Sequence, residues 1–132
     1  ITKQAIAEFD QDLDIITSAP DDRARLRLLL EWMLPLKDSD QVRERGRVML
    51  VGYNDSDLHV NVFFVAMERK MRALLRKGLE PFYSGDDLDA AVENLRVWTN
   101  GVVLSTAEHP GRWTRKRIRA ALDHQLRLMS LD

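Results

Sequence analysis

The sequence predicts an all-α fold, a bundle of about six helices, and three observations predict it. Apolar residues recur three and four positions apart along nearly the whole chain, and no stretch alternates at period two. Breakers are few, with six glycines and four prolines. The length, 132 residues, and the balance of 45% hydrophobic to 31% charged side chains fit one soluble globular domain spanning 1–132 rather than a disordered or fibrous chain.

Each helix has its own signature. Ile6, Phe9, Leu13 and Ile16 make one stripe on a first helix over 2–17, with Glu8, Asp10, Asp12 and Asp14 off it. Ser18, Ala19, Pro20 and Asp21 read as a capping box with proline in the first turn. They open a second helix through Leu26, Leu29, Leu30 and Met33 to Leu34, which Pro35 stops. Ser39 or Asp40 caps a third, whose inner side carries Val42, Gly46, Met49, Leu50 and Tyr53, and Asn54-Asp55-Ser56-Asp57 breaks it. The fourth, over 57–80, is apolar on nearly every side from Leu58 to Met67. From Glu68 to Leu79 it is amphipathic, with Met71, Leu74, Leu75 and Leu79 inward, so its first half needs cover from two directions. Ser84, three residues before Asp87, opens a fifth that runs to Glu108. Leu88, Val92, Leu95, Trp98, Val102, Val103 and Ala107 occupy more than one of its faces, which leaves one for another subunit. Pro110-Gly111 breaks the chain, and Thr114 caps a last helix with the stripe Ile118, Ala121, Leu122, Gln125, Leu126 and Met129.

Composition removes several classes of function. Twenty Lys and Arg against twenty-one Asp and Glu give a net charge of −1, without the basic footprint that duplex DNA demands. No apolar run is long enough for a membrane span. The absence of Cys removes disulfides, thiolate catalysis and Cys-ligated zinc, and fits a reducing, cytoplasmic setting. The six glycines are scattered, so no phosphate-binding loop forms and no cofactor is expected. Asp55, Ser56, Asp57 and His59 are of the types found in triads and metal sites, but 55, 57 and 59 share a face only on a strand. Helix capping accounts for three of the four. His109 and His124 lack ligand spacing, so the expectation is neither an enzyme nor a metal protein. The chain starts at Ile1 without a signal-peptide pattern, which suggests a fragment of a longer protein.

The positive signal is an accumulation of large, adaptable apolar side chains from four helices: Trp32, Met33, Met49, Tyr53, Phe63, Phe64, Met67 and Trp98. An aromatic and Met-lined space between helices is how bundles bind small apolar or amphipathic molecules, and Asn61, Asn94 and Asn100 are available as polar contacts. An ordinary core needs the same residues at the same spacing. A second signal is the basic cluster Arg112, Arg115, Lys116, Arg117 and Arg119, where the helix dipole disfavours positive charge. Asp86, Asp87, Asp89 and Glu93 are the acidic groups expected to offset it, against the bland reading of a solvated surface.

Four pieces of the chain resemble the C-terminal ligand-binding and dimerisation domain of TetR-family transcriptional regulators. They are Ser18-Ala19-Pro20-Asp21-Asp22-Arg23-Ala24-Arg25-Leu26, the turn Asn54-Asp55-Ser56-Asp57-Leu58, Asn100-Gly101-Val102 on the penultimate helix, and Trp113-Thr114 opening the last. Val60 to Val65 is more apolar than the family pattern, and Arg115-Lys116-Arg117 replaces an acidic start. The resemblance implies a helix-turn-helix domain upstream, absent from this chain, with residues 1–17 as the connecting helix. It also implies a homodimer in which the last two helices of each subunit form a four-helix bundle through Leu88, Val92, Leu95, Val102, Ile118, Ala121, Leu122, Leu126 and Met129, with Gly101 allowing close approach. DNA would be bound only through the upstream domain, and an effector would change the spacing of the two heads through Phe9 and Leu13. The alternatives are a stand-alone helical protein–protein interaction module without a ligand pocket, and an enzyme using His59.

Overall fold

Apolar stripes three and four residues apart can be buried only on helices that pack face to face, and that is the architecture observed. The computed structural model describes residues 3–37, 39–41, 43–44 and 58–132, with side chains for all of these except 3–9 and 60. The helices are α1 (Lys3–Thr17), α2 (Asp22–Met33), α3 (described at 39–41 and 43–44), α4 (Leu58–Leu79), α5 (Gly85–Glu108) and α6 (Arg115–Leu128). Among the described residues there is no strand. The all-α expectation is met.

Local chemistry sets the helix ends. Asp21 is the N-cap of α2, its carboxylate accepting from the Ala24 N–H at 2.8 Å. Pro20 therefore precedes the cap and is not in the first turn, and Ser18 closes α1 instead, donating to the Ile15 carbonyl at 2.9 Å. Leu34 ends α2 in an extended conformation, as a residue before proline must. Ser39 and Asp40 are already helical, and the Gln41 N–H donates to the Lys37 carbonyl at 3.0 Å, so α3 starts earlier than its expected cap. Ser84 is the N-cap of α5 but makes no side-chain cap bond, whereas Thr114 accepts from the Arg117 N–H and caps α6 as expected. α6 ends in a Schellman motif: Ser130 has a φ of 58°, and the Leu131 N–H reaches the Leu126 carbonyl at 2.8 Å.

One core joins the elements. Leu26, Leu29, Leu30 and Leu34 of the α2 segment pack with Leu75 and Leu79 of α4, Leu88, Val92 and Leu95 of α5, and Ile118, Leu122 and Leu126 of α6. Ile16 is buried against them and Leu13 partly so, which fixes the end of α1 on the bundle. Gly78 lets α2 and α4 approach, since a Cβ there would lie 3.3 Å from Leu29 Cδ2. The Tyr83 hydroxyl donates to the Met129 carbonyl at 3.0 Å, tying the α4–α5 turn to the end of α6. At the other end of α6, the Gln41 amide donates to the carbonyls of Pro35 at 3.2 Å and Trp113 at 2.9 Å. No helix among the described residues is long and apolar enough to cross a membrane.

Candidate ligand site and dimer face

α4 and α5 run antiparallel, and a ladder of ion pairs records their register. Arg76 pairs with Asp89, Arg72 with Glu93, and Glu68 with Arg96, one turn apart each time. Glu68 is shared: its Oε1 accepts from Arg72 Nε at 2.9 Å and its Oε2 from Arg96 Nε at 2.8 Å. The hydrogen bond to Glu93 is the main cause that raises the Arg72 guanidinium above its ordinary pKa, burial opposing it and Glu68 adding to it. The same bond holds the Glu93 carboxyl below its ordinary 4.5. Across the bundle, Arg27 is raised likewise by its bond to Asp123, at 2.6 Å.

The ladder takes up two of the acidic residues of α5. Asp89 and Glu93 serve α4 and leave the basic cluster without them, and among the described residues no ion pair engages Arg112, Arg115, Lys116, Arg117 or Arg119. Arg117 instead lies over the Trp113 ring, 4.4 Å from its centroid, and Arg115 Nε points at the Leu36 carbonyl, 3.4 Å away. A shallow, polar-lined cleft of ≈ 280 Å³ opens there between Lys37, Gln41, Trp113 and Arg115.

The sequence-predicted ligand residues divide. Met49 and Tyr53 lie outside the described residues, as does the turn Asn54 to Asp57 with its Asp55, Ser56 and Asp57. Trp32, Met33 and Trp98 are half-buried and pack on the core. Phe63, Phe64 and Met67 are half-buried on the first half of α4, the two Phe rings edge to face with centroids 5.6 Å apart. His59 is exposed in the first turn of α4. Beside Met67 stands Glu68, and opposite it Arg96, a polar pair that periodicity had passed over. Arg96 is 6% exposed, although a signal existed: Val92, Arg96, Thr99 and Val103 are four, three and four apart, and all are buried.

The face assigned to the dimer needs correction. Leu95, Ile118 and Leu122 are fully buried within the single chain, and Leu88, Val92, Val102 and Leu126 nearly so, as members of its one core. Such side chains have no area left for a second subunit. Ala121 and Met129 remain half-buried. What α5 does expose is the stripe Ala90, Asn94, Val97, Gly101 and Leu104, spaced four, three, four and three, with nothing within 4 Å of a Cβ placed on Gly101. α6 exposes Ala120, His124 and Leu128 at spacings of four. The expected double cover of α4 is likewise incomplete in the single chain, where Leu58, Val62 and Val65 are exposed.

The described helices thus form an antiparallel bundle with a sealed core, an exposed uncharged stripe on α5 and a half-buried aromatic seam on α4. The family model of the BetI-type transcriptional repressor, C-terminal domain, matches residues 22–130, and the chain belongs to this family, a TetR-type regulatory domain. Comparison with curated proteins and with solved structures gave no match.

Proposed function

We propose that the chain is the ligand-sensing and dimerising part of a cytoplasmic TetR-like repressor. A small apolar or amphipathic effector enters the helical core beside Phe63, Phe64, Met67 and Trp98, together with Trp32, Met33, Met49 and Tyr53. Its binding relieves DNA binding by an N-terminal domain outside this sequence. Family membership supports the regulatory role. The observation that carries the ligand reading is the contrast within α4, whose first half holds aromatic and Met side chains only half-buried while its second half is sealed. Effector binding acts only by differential affinity for two arrangements of the bundle, and α1 would carry such a difference to the upstream head through Leu13, partly buried on the core, and Phe9, whose side chain lies outside those described.

The dimer is re-seated on the exposed stripe of α5 and on Ala120, His124 and Leu128 of α6, where small and neutral residues permit two helix pairs to pack as four. Sedimentation of the purified chain is expected to give a dimer, and the double substitution Val97→Lys, Leu104→Lys a monomer that keeps its helix content. A dimer indifferent to both lysines would place the interface elsewhere. Melting curves against a panel of apolar and amphipathic compounds test the effector: a ligand at one hundred times its Kd adds about 2.7 kcal/mol. If no compound shifts the midpoint, the chain is a protein–protein interaction module instead.

A further inference from the structure

We propose that Arg96 is the headgroup reader of the effector site, and that the effector is an amphipathic carboxylic acid. The inference rests on the ligand reading above and adds the chemistry of the ligand's polar end. Arg96 is 6% exposed, and Glu68 is its only side-chain partner among the described residues, engaged end-on through Nε. The two terminal nitrogens of the guanidinium, with four N–H donors, have no protein acceptor among the described residues. Glu68 cannot turn to meet them without cost, because its other oxygen already accepts from Arg72. A buried guanidinium kept only for structure ordinarily closes its fork on a carboxylate, two parallel bonds at once. Here the fork stays open.

Its place in the fold says what the open fork is for. Glu68 follows Met67 directly and Phe64 by one turn, so the pair stands at the inner end of the half-buried apolar seam on α4, where the sealed core begins. An alkyl or aryl tail matches Phe63, Phe64 and Met67, and a planar two-oxygen headgroup matches the fork. Thr99 and Thr106, the other buried polar side chains of α5, donate to the carbonyls of Arg96 and Val103 and so have no donor to spare.

The test is calorimetric titration of the purified chain with straight-chain carboxylic acids of six to twelve carbons and with the matching primary amides. At least one acid is expected to bind about tenfold more tightly than its amide, the preference a charged bidentate contact gives over a neutral one. Arg96→Gln is expected to bring acid and amide within about twofold while the amide still binds. Arg96→Lys keeps the charge beside Glu68 and the fold but lacks the fork, and should also lose most of the preference. Arg76→Gln breaks the rung to Asp89, which does not touch Glu68, and should leave it intact. Equal binding of acids and amides overturns the role of Arg96 and leaves the ligand reading standing. A preference that survives both Arg96 variants, or that falls equally in Arg76→Gln, overturns it too. If neither acids nor amides bind, this proposal fails, and the compound panel alone decides whether any effector exists.

Discussion

The two halves of α4 both carry apolar side chains, eight of the ten residues from Leu58 to Met67 and five of the twelve from Glu68 to Leu79, and meet opposite fates. From Met71 to Leu79 the inward ones leave the surface: Leu75 and Leu79 are fully buried in the common core and Leu74 partly so. From Leu58 to Met67 they are half-buried or open, and Leu58, the extreme case, is 75% exposed. Burial is therefore decided by what stands opposite a side chain. The hydrophobic effect rewards area removed from water, and among the described residues it is the second half of α4 that packs into the common core. The Glu68–Arg96 rung of the ion-pair ladder stands where one regime passes into the other. On its sealed side the chain has a scaffold. On its open side it has exposed apolar surface.

The contrast is sharpest in core deletions. Leu95→Ala should lower unfolding stability by about 2–5 kcal/mol, since the cavity lies among packed neighbours that relax only partly. Val65→Ala, half-exposed on the open half, should change it by no more than about 0.5 kcal/mol. Urea titrations of both read the difference directly, and comparable losses would abolish the division. Helix caps give the next effect and run across the division: Thr114→Ala should cost about 1 kcal/mol, and Ser84→Ala close to nothing, because only the threonine makes a cap bond. The smallest effect concerns the ladder itself. Glu93 has its folded-state pKa lowered, so its pairing with Arg72 contributes fully above the ordinary value of 4.5 and is lost as pH falls through the lowered one. The stability gap between the wild-type chain and Glu93→Gln should shrink in that acid window, and a gap that widened there would reverse the assignment. The group is solvent-exposed, and salt screens what it contributes.

Much of this was legible in the residues. Single stripes such as Leu26, Leu29 and Leu30, or Ile118, Leu122 and Leu126, located both their helices and their inner faces, because one apolar side admits one orientation. α5 was different. With apolar residues on two faces, spacing alone could not say which face the chain keeps for itself, and the set Leu88, Val92, Leu95 and Val102 went to the partner when it belongs to the core. The exposed Val97, Gly101 and Leu104 are the weaker stripe by hydrophobicity, which is why the stronger one had already been claimed. At the candidate site Phe63, Phe64 and Met67 were found by type. Arg96 was missed because a charge is read as surface unless its position in the helical repeat is weighed first.

Gln41 carries a last consequence. Its amide spends both hydrogens on two different turns, one at the Pro35 carbonyl and one at the Trp113 carbonyl. Surface turns are where chains ordinarily accept extra residues and tolerate nicking. These two are coupled: a residue inserted after Pro35 moves the anchor of the turn before α6, and a residue inserted after Trp113 pulls on the exit from α2. Each turn therefore has a length set by the other, seventy-two positions away along the chain from Gln41 to Trp113. Engineered tags or loop grafts belong elsewhere on the molecule.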